Sequence, residues 1–187
     1  KLCNFQVDDD LDAQLDAEFE SSLEFNYPKD TLWSGADEAA GEKNASDYQK
    51  GAVKKLWSWV KSCVPAGADM TCRDLSTWKS EKFKEELSLH RDVRNTTCYY
   101  LFMVYGGNVD QFVKNTIQCT WDGEIWWYVY YDGDTSYGKR NDSLLAYGYN
   151  IMRDSWDAEK KKWVFEGHDS WFWCLLLANF EEEIKAM

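Results

Sequence analysis

Apolar positions follow a helical period through the first half of the chain and an alternating one through the second. Leu11, Leu15 and Phe19 recur every four residues behind Asp8-Asp9-Asp10, which predicts a short amphipathic helix ending before Tyr27-Pro28. Ser46-Asp47-Tyr48-Gln49 has the spacing of a capping box, and Val53, Leu56, Trp57 and Val60 form an i, i+3, i+4, i+7 stripe behind it. That helix should stop at Pro65 and Gly67. A third helix is expected over Asp74 to Leu89, with Leu75, Trp78, Phe83 and Leu87 inward.

Beyond Asn95 the pattern predicts strands. Val113 to Trp121, Asp122-Gly123 and Glu124 to Tyr131 read as a hairpin closed by a two-residue type I′ turn. Such a turn sets Trp121 opposite Glu124, Cys119 opposite Trp126, Ile117 opposite Tyr128 and Asn115 opposite Tyr130. Further strands are expected at Cys98–Tyr105, Ser143–Met152, Lys161–Glu166 and Ser170–Phe180. Asp157 to Lys160 would form a polar connection, and Glu181–Met187 a short helix. The fold class expected is therefore α+β: a helical N-terminal half, then an antiparallel β-sheet or a lipocalin-like β-barrel. Residues 1–45 form an acidic arm with a short helix. Residues 46–187 form a single disulfide-stapled domain, with helices in 46–90 and strands in 97–180.

Charge narrows the function. The 187 residues carry a net charge of -12, so nucleic acid is excluded as a partner. The first 40 residues hold 2 basic and 11 acidic side chains, a net of -9 that places most of the imbalance in the arm. No apolar run is long enough for a membrane span. Six cysteines (Cys3, Cys63, Cys72, Cys98, Cys119 and Cys174) without a Cys-x-x-Cys pair favour disulfides of unassigned pairing. Sequons at Asn44, Asn95 and Asn141 offer glycan acceptors, and together with the cysteines they point to a secreted, extracellular protein.

Enzyme motifs are missing. With only His90 and His168, a multi-histidine metal site is impossible, and His168-Asp169-Ser170 reads as a polar turn rather than a triad. The alternating acids Asp8, Asp10 and Asp12, and again Asp132, Asp134 and Ser136, lack the glycine and glutamate of a calcium loop. No catalytic residue, metal or cofactor is expected. What stands out is 11 Trp, 11 Tyr and 9 Phe. Rings beyond what a core needs would line a cavity or form a sticky face. Ring faces and carboxylates together attract ammonium groups. Trp121, Glu124, Trp126, Tyr128, Tyr130, Tyr147, Tyr149, Trp171 and Trp173 are the candidate ligand-binding residues.

Several segments resemble tick salivary histamine-binding lipocalins: Trp33-Ser34-Gly35-Ala36-Asp37-Glu38-Ala39-Ala40-Gly41-Glu42, Asp74 to Lys79, Tyr99 to Tyr105 with Cys119, and Tyr147-Gly148-Tyr149-Asn150. The resemblance implies an eight-stranded barrel, with Tyr99–Tyr105 as its first strand, that sequesters a host amine or lipid mediator. The function expected is thus non-enzymatic binding of a small amine or apolar mediator in an aromatic and acidic pocket. The alternative is an immune modulator that binds a basic host protein such as a chemokine; a carboxylate-based hydrolase is a third.

Overall fold

The computed structural model describes residues 3–7, 23–27, 31–32, 45–70, 74–106, 116–131, 154–157, 162–165 and 171–187. It mixes helices with antiparallel strands. Strand β1 (Cys3–Val7) pairs with β2 (Leu23–Tyr27), and β2 with β3 (Thr31–Leu32). On its other side β1 pairs with β4 (Thr116–Thr120), which pairs with β5 (Trp126–Val129). The sheet order is therefore β3-β2-β1-β4-β5. The segment expected to carry an acidic helix thus also supplies three strands. The Leu11, Leu15, Phe19 stripe itself lies outside the described residues, as does the Ser143–Met152 strand.

A separate antiparallel pair joins β6 (Asp154–Asp157) to β7 (Lys162–Phe165), with Asp157 opposite Lys162. β7 falls within the expected Lys161–Glu166 strand. A closed barrel is not formed by the described strands.

Helix α1 (Asp47–Cys63) begins as its sequence predicts. Gln49 N–H donates to Ser46 Oγ at 3.3 Å, and Ser46 N–H donates back to Gln49 Oε1 at 2.8 Å. Val53, Leu56, Trp57 and Val60 are all buried, and the chain turns away after Val64 through Pro65 and a left-handed Gly67 at φ 87°. The single helix expected from Asp74 is two elements: a 3-10 turn (Leu75–Trp78) and helix α2 (Glu81–His90). Ser80 divides them. Its backbone is extended, and its hydroxyl accepts from Phe83 N–H as the α2 cap, a role serine takes more readily than a place inside a helix. Trp78, Phe83 and Leu87 are buried as expected, while Leu75 is only half-buried.

Two expected strands are helices. Cys98–Tyr105 lies in α3 (Val93–Gly106), and Trp171–Phe180 of the other lies in α4 (Trp171–Lys185), which kinks at Phe180 (φ -131°, ψ 22°) before the residues of the expected tail helix. α3 is rich in aromatic and β-branched residues and the start of α4 in aromatic ones, which suit strands in general. In α3 a helical stripe overrides that preference: Thr96, Tyr99, Met103 and Gly106 are its buried face, and Asp92 Oδ1 accepts from Asn95 N–H at its start. The first turns of α4, Trp171 to Ala178, are apolar all round because they are buried on most sides, whereas Glu181 to Glu183 and Lys185 at its end are exposed.

The hairpin exists, but shifted by one residue. Thr120 pairs with Trp126, Cys119 with Trp127, Gln118 with Tyr128 and Ile117 with Val129, across a five-residue connection. Asp122 causes the shift. Its carboxylate accepts from Glu124 N–H at 2.8 Å and Ile125 N–H at 3.0 Å, while Thr120 Oγ1 donates to Ile125 O at 2.8 Å. These bonds outweigh the two-residue turn that Asp-Gly favours elsewhere. Gly123 still takes a left-handed φ of 83°. A one-residue slip moves every partner across the ribbon. Trp126 and Tyr128 therefore share a face with Gln118 and Thr120, not with Cys119 and Ile117.

The outer edge of β5 is covered. Asp92 N–H donates to Trp126 O at 2.9 Å. The Asn95 carboxamide accepts from Tyr128 N–H at 2.7 Å and donates to Tyr128 O at 3.1 Å, as a neighbouring peptide unit would. Edge strands left open invite pairing with other chains, and this one is closed by a side chain.

Candidate functional site

The interior beneath β5 is built from rings. Tyr99 of α3 stacks on Tyr128 of β5 with centroids 4.5 Å apart, and Trp173 of α4 stacks on Tyr128 at 5.2 Å. Phe172 meets Trp173 edge-on at 5.1 Å and Phe83 at 5.7 Å. These contacts have the offset and edge geometries that ring quadrupoles favour. Trp126, Phe172 and Trp173 are each 1% exposed or less.

The cation among these rings belongs to the protein. Arg91, the residue that ends α2, is 1% exposed, and its Cζ lies 4.6 Å from the ring centres of both Tyr128 and Phe172. Its Nη2 donates to Gln118 Oε1 at 2.6 Å. Burial pushes the Tyr128 phenol up to about 12, with the guanidinium opposing the shift. Burial raises Tyr99 further still, helped by Tyr128 and Tyr130. Both phenols are therefore neutral at pH 7 and act as apolar faces with a polar tip.

The candidate ligand-binding residues divide by location. Trp126, Tyr128 and Trp173 are packed in the core against other side chains and Arg91, where a pocket for a foreign ammonium group was expected. Glu124 lies on the surface in an ion pair with Lys55 of α1. Trp121 is 65% exposed and leans on Trp127 at 5.7 Å. Tyr130 is exposed, and Trp171 half-buried. Tyr147 and Tyr149 lie outside the described residues.

A second group of rings is turned outward, and of these the sequence singled out only Tyr130. Tyr130, just past β5, is met edge-on by Phe102 of α3 at 4.8 Å, and both are more than two-fifths exposed. Tyr105, one turn beyond Phe102, is 81% exposed, and Val104 and Tyr131 are also open to solvent. Reading this stretch as a strand hid the surface, because helical spacing is what places Phe102 and Tyr105 together.

His90 stacks on Trp59 at 4.4 Å. Burial lowers its pKa, Glu86 and Glu124 oppose the shift, and Lys55 and Arg91 reinforce it.

The cysteines do not behave as one set. Cys174 is disulfide-bonded. Cys63 and Cys98, expected in disulfides, carry free thiols. Cys63 completes the buried stripe of α1 as a small apolar residue, and burial raises its pKa, whereas Cys98 is exposed on α3. Cys119 is buried in β4; Cys3 lies in β1, and Cys72 lies outside the described residues. Of the sequons, Asn95 is half-buried with its carboxamide committed to Tyr128, and Asn44 and Asn141 lie outside the described residues. Of the segments carrying the lipocalin resemblance, Tyr99–Tyr105 is helical, and Trp33–Glu42 and Tyr147–Asn150 lie outside the described residues. No helix among the described residues is long and apolar enough to cross a membrane.

No family model, curated protein or solved structure matches this chain.

Proposed function

We propose that this chain is a secreted, non-enzymatic binding protein that holds a basic protein against its outward-facing rings. The observation that carries the reading is the exposed surface of Phe102, Tyr105 and Tyr130. Large apolar side chains grouped in solvent mark interaction sites more often than they mark chance. Electron-rich rings attract lysine and arginine heads, by about 0.5–1 kcal/mol at exposed sites. A net charge of -12 would steer a cationic partner toward the chain and speed encounter. Rings exposed to solvent suit a protein better than a small amine, which gains affinity mainly from enclosure. Of the core rings that would have enclosed an amine, Tyr128 already faces Arg91, together with Phe172. A barrel around a small mediator would need strands from outside the described residues.

The test is the association of the full chain with a panel of chemokine-sized proteins of rising basicity, at low and high salt. Basic members should bind, with affinity falling as salt rises. The double variant Phe102→Ala, Tyr105→Ala should weaken binding about tenfold or more, since aromatic anchors dominate such interfaces. Both positions are exposed, so folding should be spared. Binding that ignores the double variant, or a panel with no binder, would overturn the reading.

A further inference from the structure

We propose that Arg91 forms a buried site for one small, weakly hydrated anion of the halide class. The proposal does not depend on the surface reading above, because it concerns the core.

Arginine stays protonated in proteins, so a positive charge resides permanently inside this fold. Such a charge is costly to bury unless it is paired and its N–H groups are satisfied. Among the described residues the Arg91 guanidinium makes one hydrogen bond, to the neutral carboxamide of Gln118. Its Nε and Nη1 are buried and have no hydrogen-bond partner among the described residues. No described carboxylate contacts it. Its neighbours Tyr128 and Phe172 present ring faces, which soften the charge but do not neutralise it.

The ring geometry also matters. The two ring centres are each 4.6 Å from Cζ but only 6.3 Å from one another. They therefore meet the guanidinium at roughly a right angle, as the walls of a corner, and do not clamp it from opposite sides. Charge neutralisation must come from another direction. The titratable groups nearby leave it unbalanced: burial keeps Tyr128 a neutral phenol, and His90 on the adjoining residue is pushed toward its neutral form.

A monatomic anion suits this place for two reasons. It needs little room, and a weakly hydrated one loses least on leaving water. Bromide should therefore bind more tightly than chloride, and strongly hydrated fluoride hardly at all.

The experiment is thermal unfolding of the full chain at constant ionic strength, with sodium gluconate exchanged for fluoride, chloride or bromide. The midpoint should rise saturably in the order fluoride, chloride, bromide. The rise should reach about 5–10 °C when bromide stands a hundredfold above its dissociation constant. Arg91→Met should abolish the difference between salts. Should that variant fail to fold, a bromide-soaked crystal of the unaltered chain gives a second reading, with an anomalous peak expected within hydrogen-bond reach of Arg91 Nε or Nη1. Equal midpoints in bromide and gluconate, an unchanged dependence in Arg91→Met, or a bromide peak only elsewhere would each overturn the proposal. A carboxylate of the chain itself filling the site would appear as the first of these results.

Discussion

Trp173→Ala is expected to destabilise the folded chain by about 3–5 kcal/mol, the usual cost of emptying a large, fully enclosed ring position. Trp173 is 1% exposed, stacks on Tyr128 and Tyr99, and meets Phe172 edge-on. Removing it would leave a hollow bordered by Tyr99 and Tyr100 of α3, Tyr128 of β5 and Phe172 of α4, so collapse into the gap should be limited. It would also loosen Tyr128 and Phe172, the walls beside Arg91. Urea denaturation followed by circular dichroism measures the loss directly. A cost under about 1 kcal/mol would mean that the indole faces open space, as a ligand-lining ring would. Binding of a basic protein, by contrast, should be nearly unchanged at temperatures where the variant remains folded.

Asn179→Leu should cost about 2–5 kcal/mol, although the two side chains have the same heavy-atom count and branching. Asn179 ties α4 to the break between the 3-10 turn and α2. Its Oδ1 accepts from Ser80 N–H at 2.9 Å, and its Nδ2 donates to Trp78 O at 3.0 Å and Leu175 O at 2.8 Å. Leucine would leave the Ser80 donor and the Trp78 acceptor without partners in a buried place, and each orphan costs about 1–3 kcal/mol. The same denaturation assay reads the effect. A neutral result would show that this junction is hydrated and that Asn179 contributes little to holding it.

Both expectations rest on residues whose roles were only partly legible beforehand. The start, stripe and end of α1 could be read because every signal there is local: a cap, a period, a proline and a glycine. The burial of Trp78, Phe83 and Leu87 was legible for the same reason. The break at Ser80 had a local signal in the serine cap, but the apolar stripe running through it hid that signal, and the Asn179 carboxamide that also holds it lies some hundred residues away. In α3 the aromatic and β-branched composition spoke for a strand, yet Thr96, Tyr99, Met103 and Gly106 already carried a helical period. For α4, the unbroken apolar stretch is longer than most buried strands, and length was the signal to weigh. The hairpin was recognised, but its register was decided by the Asp122 carboxylate rather than by Asp-Gly dihedral preference. That single slip exchanged the faces of the ribbon and with them the surroundings of Trp126 and Tyr128. Arg91 had no sequence signal, because nothing local marks a cation for burial. β1 was hidden because its partner β4 lies more than a hundred residues further on.

The central claim is that the inner rings are locked around the protein's own cation and that only the outer rings are available to a partner. Hydrogen exchange at the indole nitrogens, followed by nuclear magnetic resonance, tests it most directly by comparing Trp126, which is 0% exposed, with Trp121, which is 65% exposed. The Trp126 indole proton should exchange only through global unfolding, orders of magnitude more slowly than that of Trp121. Exchange of Trp126 at the rate of Trp121 would show a wet, open interior and contradict the account.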